Sequence, residues 1–294
     1  MPHNLPNFFI VGAPKAGTTS LYQYLCRHPE VFMSPIKEPN FFCYEDTRAQ
    51  NLYHKEKGIG DWDRYVQLFD GANGSHKAIG EASVAYLFYP KVPWRIREKI
   101  PGARIVISLR NPVDRAISHY FMEYKLGYVH VPLADIVFRR TRHPRAALWY
   151  QQYVELGFYY EQVKRYLEVF PPEQVKIFIY EEWIANLQEG LRALYEFLQL
   201  STTYLPEGNP RYNPFSLPRN RLLHLLYTQK GLRRLARMVL PEELVYRVKQ
   251  WVLTSNRPMD VGDEVRAELT RLYREDIARL EDLLNQKLTV WYAT

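Results

Sequence analysis

The chain has 294 residues, 47% of them hydrophobic and 24% charged, and a formal net charge of +7. This composition suits a globular protein with a large core, and no stretch approaches the roughly 18 apolar residues that a membrane helix needs. Two cysteines and an N-terminus without a secretory pattern favour a reducing, cytoplasmic location over a disulfide scaffold. No HxxxH or paired-cysteine spacing occurs, so no metal site is expected.

Two strand–turn–helix units are predicted in the first half of the chain. The apolar run Phe8–Val11 is followed by helical spacing of apolar residues from Thr18. The β-branched run Arg104–Leu109 is followed by Asn111, a helix-capping residue, and by Pro112 at the first helical position. Each unit therefore places a turn between the end of a strand and the start of a helix.

A third strand is predicted at Val175–Tyr180, after a helix at Tyr150–Phe170 and before a helix at Leu187–Leu198. Strands that alternate with helices predict an α/β fold of three layers, with a central, mainly parallel sheet flanked by helices and a helical C-terminal part. No flexible linker interrupts the chain, so a single domain over residues 1–294 is expected. The expected C-terminal helices lie near Arg219–Val239, Glu242–Leu253 and Glu264–Leu284.

The first turn has the composition of a phosphate-binding loop. Gly12 and Gly17 permit close approach of the backbone to a ligand, and Lys15 adds a full positive charge. Free N–H groups and the positive end of the helix dipole favour an anion at this position. The residues predicted to bind it are Pro14, Lys15, Ala16, Gly17, Thr18, Thr19 and Ser20.

From the residues alone, this loop has more than one interpretation. It could be a glycine-containing turn with a surface lysine. A Walker A loop, GxxxxGK[ST], would place lysine where Thr18 stands, which weakens a nucleotide triphosphatase. The run PKxGTTS between a strand and a helix resembles the P-loop-like sulfotransferases that use 3′-phosphoadenosine 5′-phosphosulfate (PAPS). The resemblance implies that the loop binds the 5′-phosphate and that Lys15 stabilises charge on the bridging oxygen as sulfate leaves.

A second anion site is predicted where the second strand ends. Arg110 follows that strand, and a guanidinium offers a fork of donors to phosphate oxygens. The pattern RxPxxRxxSxY, from Arg110 onward, resembles the 3′-phosphate motif of the same family. It implies that Arg110 and Ser118 hold the 3′-phosphate, whereas Arg115 could equally pair with Asp114.

A candidate base follows the first helix. Glu38 stands shortly before a Phe-Phe pair, and a carboxylate in a partly apolar setting has a raised pKa and accepts protons better. The segment resembles the one with the catalytic glutamate in the heparan sulfate branch of the sulfotransferases, which implies that Glu38 is the base. Two alternatives stay open: a local ion pair between Lys37 and Glu38, or a base at Glu81 or His119.

The expected activity is direct in-line transfer of the sulfuryl group of PAPS to a hydroxyl or amine, with 3′-phosphoadenosine 5′-phosphate (PAP) as product. The acceptor would be a glycan, a lipid or another small molecule, and neither nucleic acid nor a transmembrane segment is expected. Two other functions fit the residues: a divergent P-loop kinase or ATPase, and a noncatalytic module that binds polyanions.

Overall fold

The computed structural model describes residues 4–50, 52, 58–206, 217–229, 231, 241, 244, 247, 252–254 and 260–292. The chain divides into two compact units. The first comprises Met1–Arg115, Leu156–Tyr212 and Leu272–Thr294, and the second comprises Ala116–Glu155 and Asn213–Arg271. The expectation of a single domain over residues 1–294 stays a prediction.

A five-stranded sheet forms the centre of the first unit. Its strands are β1 (Phe8–Gly12), β2 (Val31–Met33), β3 (Ala78–Ala82), β4 (Arg104–Leu109) and β5 (Val175–Ile179). They lie in the order β2-β3-β1-β4-β5, and every neighbouring pair is parallel. Strands of a parallel sheet are buried on both faces, which explains the continuous apolar runs of β1 and β4. The predicted fold class is confirmed.

Helices cover the sheet, and their apolar residues repeat every three to four positions. Leu21 and Leu25 of the first helix and Leu191 and Leu194 of a later one are buried in one cluster with Phe8 of β1. The helices are α1 (Thr18–Leu25), α2 (Tyr44–Ala49), α3 (Trp62–Val66), α4 (Val92–Lys99), α5 (Pro112–Leu126), α6 (Leu133–Val137), α7 (Ala146–Tyr153), α8 (Tyr160–Val169), α9 (Tyr180–Ala185), α10 (Leu187–Phe197), α11 (Arg221–Thr228) and α12 (Asp263–Leu284).

Two features differ from the expectations. The helix expected at Tyr150–Phe170 is two helices, α7 and α8, separated by a turn in which Gly157 lies against the ring of Tyr273; an added Cβ would be 2.7 Å from that ring. Neither β2 nor β3 was predicted. β2 has only three residues, and β3 contains a glycine and a glutamate, which are depleted in strands.

The second unit contains a short antiparallel pair, β6 (Leu217–Pro218) with β7 (Leu253–Thr254). α11 confirms the start of the helix expected near Arg219–Val239, whereas the rest of that helix and most of Glu242–Leu253 lie outside the described residues. The helix expected at Glu264–Leu284 is confirmed by α12. Among the described helices, none is at once long and apolar enough to cross a membrane.

Candidate active site

The turn after β1 is fastened to the end of β4. The N–H of Ala13 donates to the carbonyl oxygen of Ser108 (2.7 Å), and Oγ of Ser108 donates to the carbonyl oxygen of Ala16 (2.6 Å). Lys15 and Gly17 both have left-handed backbone conformations, with φ of 71° and 77°. The turn is therefore a defined loop held by the neighbouring strand.

α1 begins without a side-chain cap. Gly17 is its N-cap residue, and the carbonyl oxygen of Gly17 accepts from the N–H groups of Ser20 and Leu21 at 2.8 and 3.1 Å. The N–H groups of Thr18 and Thr19 belong to the first turn, where a helix offers no acceptor. With the charge of Lys15 and the positive end of the helix dipole beside them, these donors fit a phosphate ester.

Arg110 lies directly after β4 and contacts this loop. Its Nη1 donates to the carbonyl oxygen of Lys15 (3.2 Å), and its guanidinium carbon lies 5.1 Å from the centre of the Tyr180 ring. The hydroxyl of Tyr159 donates to the carbonyl oxygen of Arg110 (3.0 Å). The Nε of Arg110 is buried and has no hydrogen-bond partner among the described residues. A buried donor without an acceptor costs free energy, so an anionic oxygen bound there would be stabilising.

The start of α5 is capped by the side chain of the preceding residue, Asn111. Oδ1 of Asn111 accepts from the N–H of Val113 at 2.9 Å, while the N–H of Asn111 donates to the carboxylate of Glu181 at 2.9 Å. The cap predicted at Asn111 is confirmed. Because these N–H groups already have acceptors within the protein, the donor that the end of β4 offers to a ligand is the side chain of Arg110. Ser118 lies further along α5, is buried, and belongs to the second unit.

An aromatic pair closes one side of the loop. A Cβ placed on Gly17 would lie 2.5 Å from the Trp183 ring and 2.8 Å from the Tyr180 ring. Trp183 is held in place because its Nε1 donates to Oγ of Ser108 at 3.1 Å. Nothing in the sequence indicated that Tyr180 and Trp183 contact the loop, because that contact joins residues more than 160 positions apart.

Glu38 lies in a loop that is bonded to the end of β3. Its N–H donates to the carbonyl oxygen of Ala82 (2.9 Å), and its backbone is left-handed, with φ of 64°. Its carboxylate pairs with Nζ of Lys37 at 2.7 Å, and its side chain is 36% exposed. The local ion pair that the residues left open is therefore present, and the carboxylate is also accessible to solvent. The role of Glu38 as a base stays a prediction.

The segment after β3 is hydrogen-bonded to the end of β1. The loop with Glu38 and the phosphate loop therefore lie at the same edge of the sheet. The N–H of Ser83 donates to the carbonyl oxygen of Ile10 (3.1 Å), and that of Leu87 donates to the carbonyl oxygen of Val11 (2.8 Å). Both acceptors lie in the last residues of β1, directly before the phosphate loop. Glu38 is thus bonded to the end of β3, and β3 is the neighbour of β1, which directly precedes the loop with Lys15.

Glu81 is fully buried at the end of β3 and accepts three hydroxyl hydrogen bonds. Tyr65 and Tyr86 donate to Oε1 at 2.8 and 2.9 Å, and Ser83 donates to Oε2 at 2.6 Å. Burial raises its pKa to about 7; the three hydroxyls oppose that shift, and the charge of Glu38 adds to it. A carboxylate with no exposed surface is poorly placed to take a proton from a bound molecule.

His119, the other alternative base, lies inside the second unit. It is 4% exposed, and its Nδ1 lies 3.0 Å from the carbonyl oxygen of Gln152. Its Nε2 lies 3.3 Å from the buried carboxylate of Glu123, to which the hydroxyl of Tyr153 donates at 2.6 Å. These contacts bury both ring nitrogens, so Glu38 is the most exposed of the three candidate bases.

A cleft of about 300 Å³ adjoins the Glu38 loop. Phe41 and Tyr44 give it aromatic faces, and its charged side chains are Arg95, Lys99, Glu45 and Glu98. Arg95 also donates to the carbonyl oxygen of Phe42 at 2.6 Å, which fixes the wall of the cleft.

An uncapped helix, a lysine and a strand-end arginine at the carboxyl edge of a parallel sheet are features typical of α/β proteins that bind phosphate esters. A family model described as the sulfotransferase domain matches residues 5–212. The chain belongs to the sulfotransferase domain family. The predicted membership of the sulfotransferase family is confirmed. The kinase and polyanion-binding alternatives find no support.

Several relatives have known names. Human bifunctional heparan sulfate N-deacetylase/N-sulfotransferase 2 is 30% identical over 202 residues, which are 67% of this chain and 22% of that protein. Human carbohydrate sulfotransferase 15 is 27% identical over 257 residues, 67% of this chain and 44% of that protein. The chain thus spans less than half the length of these relatives. The crystal structure of a sulfotransferase from Alicyclobacillus acidocaldarius is 34% identical, with a TM-score of 0.71, and the match covers 98% of this chain and 99% of that one.

Proposed function

We propose that this protein binds PAPS at the loop of residues 14–20 and at Arg110, and transfers the sulfuryl group to a hydroxyl or amine of a saccharide. PAPS supplies the activated sulfuryl group, and the residues of the chain bind, orient and stabilise charge. The observation that carries the proposal is the hydrogen bond from Arg110 to the carbonyl oxygen of Lys15. It joins the lysine loop, the uncapped start of α1 and a guanidinium with an unsatisfied Nε.

The two ester groups of the nucleotide have separate partners in this proposal. Lys15 and the N–H groups of Thr18 and Thr19 hold the 5′-phosphate, and Lys15 stabilises the negative charge that develops on the leaving oxygen. Arg110 binds the 3′-phosphate through its guanidinium. Ser118 is proposed as a further 3′-phosphate ligand on the sequence pattern alone.

Glu38 takes the proton of the acceptor in this proposal. Two observations support this role. The carboxylate of Glu38 is exposed, and the N–H of Glu38 donates to the carbonyl oxygen of Ala82, at the end of the strand that neighbours β1. Positioning and electrostatic stabilisation would supply most of the acceleration, as in loose phosphoryl transfer.

A saccharide is the acceptor that the relatives favour, because their names describe heparan sulfate and carbohydrate sulfotransferases. The cleft beside the Glu38 loop supports it, since the aromatic faces of Phe41 and Tyr44 can contact a sugar ring, and the polar ends of Arg95, Lys99, Glu45 and Glu98 can hydrogen-bond with its hydroxyl groups. A screen with PAPS and de-N-sulfated heparin, desulfated chondroitin and a simple phenol tests this assignment. Faster sulfation of the phenol than of either polysaccharide would contradict it.

We also propose a cytoplasmic location, on the basis of the two free cysteines, Cys26 and Cys43. A relative from Dictyostelium discoideum, 32% identical over 116 residues, is named a membrane-associated sulfotransferase. Fractionation of the native host tests the proposal, and recovery in the membrane fraction would contradict it.

Ligand-induced thermal stabilisation separates the three functions. PAP should raise the melting temperature most, ADP should raise it less, and ATP with magnesium should add nothing beyond ADP. A larger shift with ATP and magnesium would support a kinase or ATPase. A shift with heparin and none with PAP would support a polyanion-binding module.

Turnover of PAPS with de-N-sulfated heparin tests the residues. Lys15→Ala should lower kcat by at least about 100-fold, the size found for loss of a charge-stabilising donor. Lys164→Ala is the matched control, because Lys164 is an exposed lysine paired with Glu168. Glu38→Gln should lower kcat about 100-fold or more, whereas Glu168→Gln should not. Normal turnover in the Lys15 or Glu38 variant would remove its assigned role.

A further inference from the structure

We propose that Glu81 is a positioning residue: its buried carboxylate holds the loop of residues 38–42 through three hydroxyl groups and thereby sets the position of Glu38. The catalytic consequence of this inference rests on the proposed role of Glu38. The structural part stands on the contacts alone.

Two of the hydroxyls connect the carboxylate to backbone N–H groups of the loop. Oγ of Ser83 accepts from the N–H of Asn40 at 3.1 Å and donates to Glu81 at 2.6 Å. The hydroxyl of Tyr86 accepts from the N–H of Phe42 at 3.2 Å and donates to Glu81 at 2.9 Å. An N–H group can only donate, so each hydroxyl accepts from the loop and turns its own proton toward the carboxylate.

The third hydroxyl reaches the loop through ring packing. Tyr65 donates to Glu81, and its ring is stacked on Phe41, with centroids 4.6 Å apart and planes at 18°. The same ring meets Phe42 edge-on at 5.6 Å. All three partners of the carboxylate therefore contact residues 40–42, which are separated from Glu38 by Pro39 alone.

The loop needs such external support because its backbone is unfavourable by itself. Glu38 and Asn40 have φ of 64° and 53°, a left-handed region that costs free energy for residues other than glycine. The hydrogen bond from Glu38 to Ala82 ties the start of the loop, and the relays through Ser83 and Tyr86 tie the rest.

A carboxylate meets this demand better than any neutral side chain. When Glu81 is ionised, both of its oxygens accept, so Oε1 serves two tyrosines while Oε2 serves Ser83. In Glu81→Gln one of these oxygens becomes an NH₂ group that can only donate. At least one hydroxyl then loses the acceptor for its proton. If that proton turns toward the loop, the hydroxyl oxygen no longer accepts well from the loop N–H.

Hydrogen exchange followed by mass spectrometry tests the positioning without any acceptor. Exchange in the peptide over residues 38–42 should rise about tenfold or more in Glu81→Gln, Ser83→Ala and Tyr86→Phe, which corresponds to about 1.4 kcal/mol. Tyr65→Phe is the matched comparison: it removes a hydroxyl from the same Oε1 but no acceptor of a loop N–H, and it keeps the stacked ring, so exchange should rise less than in Tyr86→Phe. Equal exchange in Tyr86→Phe and Tyr65→Phe, or wild-type exchange in Glu81→Gln, would overturn the proposal.

A double-mutant cycle with PAPS and de-N-sulfated heparin tests the catalytic consequence. Glu81→Gln should lower kcat about tenfold, as misplacement of a catalytic group does, while the KM for PAPS stays unchanged. In a Glu38→Gln background the same change should cost less than about twofold, because its effect acts through Glu38. Equal losses in both backgrounds would make Glu81 merely structural and overturn the proposal. Normal turnover of Glu38→Gln would instead refute the proposed base, and the exchange result would still decide the positioning.

Discussion

Substitution of Gly17 by alanine tests the packing of the phosphate loop most directly. The backbone of Gly17 is left-handed, and its missing Cβ would lie 2.5 Å from Cζ2 of Trp183 and 2.8 Å from two ring carbons of Tyr180. Neither ring can move away freely. Trp183 is 4% exposed and bonded to Ser108, and Tyr180 lies under the guanidinium of Arg110.

The expected loss of stability has two parts. A left-handed backbone costs an alanine about 1–2 kcal/mol relative to glycine. Forcing extra carbon into a packed site costs about 1–3 kcal/mol. Gly17→Ala should therefore lower the free energy of unfolding by about 2–5 kcal/mol, a large share of the stability of an ordinary domain.

Two other glycines separate these parts. Gly262 has φ of 82° and nothing within 4 Å of an added Cβ, so Gly262→Ala should show the backbone cost alone. Gly102 has neither a positive φ nor a contact, so Gly102→Ala should leave stability unchanged or slightly raised. Urea denaturation measures the change in the free energy of unfolding for all three variants, provided that the m-value stays the same.

The binding of PAP should change together with stability. Below its melting temperature, Gly17→Ala should bind PAP more weakly than wild type, because the new methyl group displaces the start of α1. If Gly17→Ala loses no more stability than Gly262→Ala, the rings of Trp183 and Tyr180 give way and the packing reasoning is wrong. If stability falls as expected while the affinity for PAP stays at the wild-type value, this loop is not the phosphate site.

Three further predictions follow from single contacts. Arg110→Ala should weaken PAP about 10- to 100-fold in calorimetry and affect AMP less; equal losses for both would contradict a 3′-phosphate role. Leu191→Ala, in the core between helix and sheet, should cost about 2–5 kcal/mol in urea denaturation, and a negligible loss would contradict that packing. Burial raises the pKa of Asp276 from 3.8 to about 6. The native state therefore binds more protons than the unfolded state between these values, and wild-type stability should fall relative to Asp276→Asn as pH rises through them. Parallel urea midpoints of the two proteins across that range would contradict this.

Local features of the sequence predicted the parts of the fold that depend on neighbouring residues. The apolar runs of β1 and β4 and the Asn111-Pro112 pair at the start of α5 were each visible within a few positions. Their signals are reliable because strand burial, helix capping and loop chemistry act over short separations. The run PKxGTTS after β1 and the pattern RxPxxRxxSxY after β4 were therefore enough to suggest the family by resemblance.

Other features depend on residues far apart in the chain, and only the tertiary structure shows them. β3 carries a glutamate that would ordinarily argue against a buried strand, yet Glu81 is fully buried because three hydroxyls from separate positions reach it. The rings of Tyr180 and Trp183 lie against Gly17 for the same kind of reason. A buried charge and a ring contact are stabilised by whatever the fold brings within a few ångströms, and sequence spacing carries no record of that distance.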